Sequence, residues 1–235
     1  MGSINEKDFI DELVFCLKEE DVVKAKALLQ FASDANVDAA LQKTALLELA
    51  KGPDRVVFQL LEFLTKIEIS DQEVRDGLYD LILDKAYGNT DLVIEYITNN
   101  EKATRIQFIR AAGDLYLSDT ANALAGVITS ESDPEILSAA ITALGIFRRD
   151  DSLDAFGTLA AHPDLEVRKS AIFAVAAHGS KEAVDKLLEF LGDDEKTNKL
   201  TVEALSDMQD IYALDKLTRL LSSSVTNVRD TAIDQ

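Results

Sequence analysis

Apolar residues recur along this chain at three- and four-residue steps, in short segments separated by polar breaks. Ala183, Val184, Leu187, Leu188 and Leu191 follow that spacing, and Gly192-Asp193-Asp194 ends the run. Such a pattern lays one apolar stripe along a helix. A second kind of segment carries smaller residues at the same spacing: Ile136, Ala139, Ala140, Ala143 and Leu144, then Val167, Ser170, Ala171, Ala174 and Val175. Alanines there allow neighbouring helices to approach closely. β-branched residues are scattered among alanines and leucines rather than gathered in alternating runs, so no strand is predicted. The pattern predicts one leading helix over 5–18, followed by helix pairs. First members lie near 20–33, 53–66, 89–98, 119–130, 150–162, 180–192 and 210–223. Partners lie near 37–51, 71–86, 102–115, 134–147, 165–177, 195–207 and from 226 onward. Breaks such as Lys51-Gly52-Pro53, Tyr87-Gly88-Asn89 and His178-Gly179-Ser180 make short loops, and short loops make consecutive helices antiparallel neighbours.

The partner helices open on a recurring string. Asp71-Gln72-Glu73-Val74-Arg75 and Asp164-Leu165-Glu166-Val167-Arg168 share D-x-E-V-R, Asn227-Val228-Arg229 repeats its end, and Asp133-Pro134-Glu135-Ile136-Leu137 is a weaker copy. Ile136 to Val167 is 31 residues and Val167 to Val228 is 61, two such steps, which places a further copy at Thr197-Asn198-Lys199. Asp offers an acceptor to the unpaired amides of a helix start, and Glu in the first turn suits the positive end of its dipole. Pro134 and Pro163 stand where a missing amide does little harm. One pair cannot bury its apolar faces alone, but a stack of pairs can. The expected architecture is therefore all-α, one repeat array over 1–235 with no internal domain boundary. The last helix is cut off two turns in, so the array is expected to be a fragment of a longer solenoid.

The 31-residue period, the D-x-E-V-R strings and Ala140-Ile141-Thr142-Ala143-Leu144-Gly145 resemble HEAT repeats, in the short bacterial form also found in phycobilisome-lyase-like proteins. The resemblance is strongest over 102–235. It implies an α-solenoid, a right-handed superhelix of about seven antiparallel helix pairs, with the Val-Arg helices lining the concave side. It also implies that Arg75, Arg168 and Arg229 bond to acidic groups in nearby turns. Leu137 and Asn198 stand where that arginine is expected, so the ladder is expected to be broken there.

Composition narrows the chemistry. Three prolines, ten glycines and 29% charged residues fit a helical globular chain. A net charge of −19 repels nucleic acid and anionic membranes, and suits either solubility or a partner with a basic patch. No apolar run nears the roughly 18 residues of a membrane span, the polar N-terminus is no signal peptide, and the lone Cys16 fits a reducing cytoplasm as a buried thiol. His162 and His178 lie outside any metal-binding string, without the His-Glu pairs of the di-iron branch of the resembled family. No phosphate loop or nucleophile motif occurs. Asp193-Asp194-Glu195 reads as a solvated turn. No catalytic residue, metal or cofactor is predicted.

The function expected is a non-enzymatic scaffold that binds a protein partner in the concave groove. If Val167, Ala171 and Val175 point inward, a second line on the partner helices faces elsewhere: Asp76 and Asp80, Ile106 and Arg110, Ser138, Thr142 and Ile146, Lys169 and Phe173, Lys199 and Glu203. Phe173, Ile146 and Ile106 form either an exposed apolar strip for a partner or interhelix packing. Two alternatives stand beside this reading: a subunit similar to chromophore lyases, and a structural segment of a larger assembly.

Overall fold

The computed structural model describes residues 5–33, 38–192, 194–223 and 226–233. Asp193 and the side chain of Asn227, both in strings quoted above, lie outside the described residues, as does the Asp234-Gln235 end. Among the described residues there are fifteen α-helices and no strand. Two compact units divide the chain, 1–111 and 112–235, and the division falls inside a helix, not in a linker.

The first unit holds α1 (Glu6–Lys18), α2 (Val22–Ser33), α3 (Ala39–Leu49), α4 (Asp54–Leu64), α5 (Gln72–Ala86), α6 (Thr90–Asn99) and most of α7 (Lys102–Asp114). Helices pack on their second neighbours, α1 on α3 on α5 and α2 on α4. Two layers of alternating helices stacked in series are the arrangement of an α-solenoid. Between the layers sits an aromatic cluster: Phe58, Tyr96 and Phe108 lie with ring centroids 5.0–5.2 Å apart. Burial, with the nearby Glu62 charge as a lesser cause, pushes the Tyr96 phenol up to about 12.

The second unit holds α8 (Ala121–Ser130), α9 (Pro134–Ile146), α10 (Leu153–Leu159), α11 (Leu165–His178), α12 (Lys181–Glu189), α13 (Glu195–Asp207), α14 (Ile211–Leu220) and α15 (Thr226–Ile233). Again α9 packs on α11, α11 on α13 and α13 on α15, with α12 on α14 in the other layer. Helix α10 is shorter than its apolar pattern predicts. Its first turn, Asp150–Ser152, is a 3-10 turn, and its end tightens into i−3 bonds from Ala161 and His162 before Pro163, because a residue preceding proline is driven out of the α region.

The close approach expected of small residues is present in this unit. A Cβ placed on Gly145 would stand 2.8 Å from the Ala174 Cβ, and one on Gly113 would stand 3.1 Å from the Ala143 Cα. The backbones of successive odd-numbered helices thus touch almost directly.

Except between α3 and α4, each odd helix gives way to the next even helix through one left-handed residue. Glu20, Gly88, Tyr116, Arg148, Gly179 and Gln209 all have φ between 50° and 83°. Gly88 and Gly179 are the residue type that adopts this conformation freely; the other four carry side chains into it.

Candidate functional site

The geometry of the odd helices is set by three side chains that recur in most repeats. An aspartate caps the start: Asp38, Asp71, Asp133, Asp164 and Asp194 each accept an amide proton from the first turn. An apolar residue three positions on is buried, as at Val74, Ile136 and Val167. The next residue reaches back across the interhelix turn. Arg168 Nη1 donates to the carbonyls of His162 and Pro163 at 2.8 and 3.0 Å, and its Nη2 lies 3.8 Å from Asp194. Arg75 does the same to Ile69 and Ser70. Arg105 Nε donates to the Ile97 carbonyl at 2.8 Å, and Gln42 Nε2 to that of Ala32 at 2.6 Å.

The expected break in this ladder at Asn198 does not occur. Its Nδ2 donates to the Gly192 carbonyl at 2.7 Å, while its Oδ1 accepts from the Gly192 amide at 2.9 Å. A short amide placed close to the turn makes the contact that a long guanidinium makes elsewhere. Leu137 is simply buried. Arg229 lies 3.6 Å from Asp230. The partners of the arginines are thus mainly peptide carbonyls, which need no acidic residue in the turn.

With these anchors fixed, the residues five and nine positions after the cap turn away from the core. In the first unit Asp76, Asp80 and Arg110 are exposed; Asp76 accepts from Gln72 Nε2 at 2.6 Å. Ile106 is the exception. It is 5% exposed, so it belongs to the core and not to an apolar strip: an aliphatic side chain at this position gains more from burial than from water. The same frame extends backward to two residues that the D-x-E-V-R strings do not reach. Leu47, counted from the Asp38 cap, and Phe15, one repeat earlier on α1, are 66% and 53% exposed.

In the second unit Thr142, Ile146, Lys169 and Lys199 are exposed, and Phe173 and Glu203 are half-buried. Because α9, α11 and α13 pack in succession, these residues form one ridge within the unit. The seam beneath it is polar: Ser138 and Ser170 hydroxyls meet at 2.6 Å, and Thr142 donates to the Ser138 carbonyl at 2.9 Å. Ile146 overhangs Gly113, its Cδ1 3.2 Å from where a Cβ would stand. The apolar part of the ridge is therefore Ile146 and Phe173, flanked by two lysines.

Candidates for chemistry are occupied with structure. Cys16 is fully buried, and burial pushes its thiol up. His162 Nδ1 accepts from the Asp164 amide at 3.1 Å. His178 Nε2 lies 2.8 Å from Asp150, and its Nδ1 is buried with no partner among the described residues. Among the described residues no three His, Cys, Asp or Glu side chains gather to hold a metal, and no helix is long and apolar enough to cross a membrane.

A family profile described as HEAT repeats matches residues 89–164 and 153–235. The chain belongs to the HEAT-repeat family. No curated protein sequence matches it significantly. Among solved structures, the YibA protein of Escherichia coli is 17% identical, with the alignment covering all of this chain and 97% of that one at a TM-score of 0.48. Two engineered proteins are each 22% identical, at TM-scores of 0.35 and 0.33; the alignments cover 91% and 88% of this chain and 94% and 95% of theirs. The HEAT profile spans α6 and everything after it. The Asp caps and back-reaching Gln42 and Arg75 carry the same repeat frame through α3 and α5.

Proposed function

We propose that this HEAT array is a non-catalytic scaffold that holds a protein segment along the exposed ridge of its odd helices. The observation carrying this reading is the apolar and basic side chains set side by side along one face of the odd helices in the second unit. Ile146 and Phe173 offer apolar area, and Lys169 and Lys199 offer charge beside it, on helices whose backbones are locked together. Rigid presentation of such a surface lowers the ordering cost of binding, and partly buried aromatic anchors dominate contact energies. In the first unit Asp76 and Asp80 make the corresponding surface acidic, with Leu47 and Phe15 as its apolar residues, which favours a partner segment carrying a basic patch there.

The test is quantitative affinity purification with the intact chain and two variants, Phe173→Asp and Lys169→Glu. Lys169 is exposed, so its reversal leaves folding intact. Partners captured by the wild-type chain and lost from both variants are the expected result. Unchanged recovery with both variants, each folded by circular dichroism, overturns the assignment of the ridge.

A further inference from the structure

Helix α13 turns a different kind of inner face to its neighbours from that of α9 and α11. Counted from the Asp133 and Asp194 caps, positions three, four and seven are Ile136, Leu137 and Ala140 in α9, and Thr197, Asn198 and Thr201 in α13. All six are buried. Helix α11 keeps Val167 and Ala171 at two of these places. The apolar side chains that α13 does bury are Val202, Ala204 and Leu205. No other described helix buries more than one polar side chain. Two of the three on α13 are matched locally. The Thr197 hydroxyl donates to the Asp194 carboxylate that caps its own helix, and Asn198 pairs with the Gly192 peptide. The Thr201 hydroxyl is fully buried and has no hydrogen-bond partner among the described residues. An unpartnered buried hydroxyl costs stability, and a buried threonine or asparagine contributes less apolar area than isoleucine or leucine.

The seam before α13 is also less closely packed. Gly145, twelve residues after the α9 cap, lets α9 meet α11 at Ala174 almost backbone to backbone. The same position in α11 is Ala176, and its methyl group stands where that glycine leaves room. Helix α11 accordingly packs over less of α13 than of α9, and α13 packs over less of α12 than α11 does of α10. Dispersion contacts fall away steeply with separation, so a shorter and wider seam is a weaker one.

We propose that α13 is a built-in opening segment of the second unit, which unfolds locally while α9 and α11 stay packed on each other. Segments with few buried apolar contacts open first, and they do so as cooperative pieces. Lys199 and Glu203 are carried by α13, so its opening removes them from beside Lys169 and Phe173. A protein segment bound across α11 and α13 then favours the closed form, because it contacts that form alone. This last consequence rests on the ridge reading; the opening itself does not.

Amide exchange at low urea concentrations tests this on the 235-residue chain and two variants, Thr201→Val and Gly145→Ala. Thr201→Val keeps the shape of the side chain and removes the hydroxyl. Gly145→Ala loosens the α9–α11 contact, which the open form retains. In the wild-type chain, α13 amides are expected to show a weaker urea dependence than those of α11. In Thr201→Val they are expected to slow about tenfold, the scale of one unpaired buried hydroxyl. In Gly145→Ala they are expected to keep the wild-type rate while those of α9 and α11 quicken. Any of three results overturns the proposal: α13 amides that share the urea dependence of α11, that do not slow in Thr201→Val, or that quicken in Gly145→Ala as much as those of α9. Should Gly145→Ala not fold, the first two measurements decide. No partner takes part in any of them, so their failure leaves the ridge reading standing.

Discussion

At the residue scale, the fold depends on a few positions where no larger or different group fits. Gly145 faces Ala174 so closely that a methyl group has no room. Gly145→Ala is expected to cost about 1–3 kcal/mol through overpacking. Gly126, in the interior of α8, has nothing within 4 Å of a Cβ, and Gly126→Ala is expected to gain about 0.5–1 kcal/mol from helix propensity. Urea unfolding of the two variants against wild type measures both; shifts of the same sign contradict the account. Asn198 is the other sensitive position. It is fully buried and bonds both polar atoms of the Gly192 peptide unit. Asn198→Ala removes both hydrogen bonds to this turn, an expected loss of about 1–3 kcal/mol by the same measurement.

These positions also show what the sequence discloses. Aspartate at a helix start has one physical use, so Asp71, Asp133 and Asp164 place their helices correctly. The small residues of α9 and α11 likewise announce close packing. By contrast, Gln42, Arg105 and Asn198 perform the task of Arg75 and Arg168 with different side chains and reaches, and a string match does not connect them. Tyr116, Arg148 and Gln209 adopt left-handed φ with no glycine to mark the turn. Phe15 and Leu47 read as ordinary core residues until the repeat frame is carried back from Asp71 to Asp38 and beyond. Ile106 is settled by burial: of the two readings its spacing leaves open, exposed strip and interhelix packing, it takes the second.

At the scale of elements, neighbouring pairs are joined by ionic contacts that repeat with the fold. In the first unit Lys85 of α5, 8% exposed, donates to Asp54 at 3.0 Å and to the Gly52 carbonyl at 3.1 Å, tying the start of α4 to α5. The Lys85 ammonium, with help from Asn89, holds the Asp54 carboxyl below its usual range. A carboxyl with a lowered folded pKa stabilises the fold above its unfolded value. That contribution fades as pH falls through the folded one, because the unfolded state binds the proton first. Stability is therefore expected to fall on acidification through the carboxylate range, and Lys85→Met is expected to flatten that dependence. Denaturation midpoints across a pH series check this, and an unchanged slope in the variant would count against the ion pair.

At the scale of the molecule, stability is shared between neighbours and not concentrated in one central core. Such a chain opens from its exposed pairs inward, and its ridge stays rigid only where pairs exist on both sides. In the second unit, α9 and α11 approach their odd-layer neighbours at Gly113–Ala143 and Gly145–Ala174 spacing and α13 packs on both α11 and α15, while α14 and α15 present Leu214 and Ile233 to water. The second-unit part of the binding ridge proposed above lies on the former group.

Native-state hydrogen exchange tests serial burial most directly. Amides of α9 and α11 are expected to exchange slowest and those of α14 and α15 fastest, with α12 and α13 between. Equal protection across all of these helices, lost in one common opening, would contradict it.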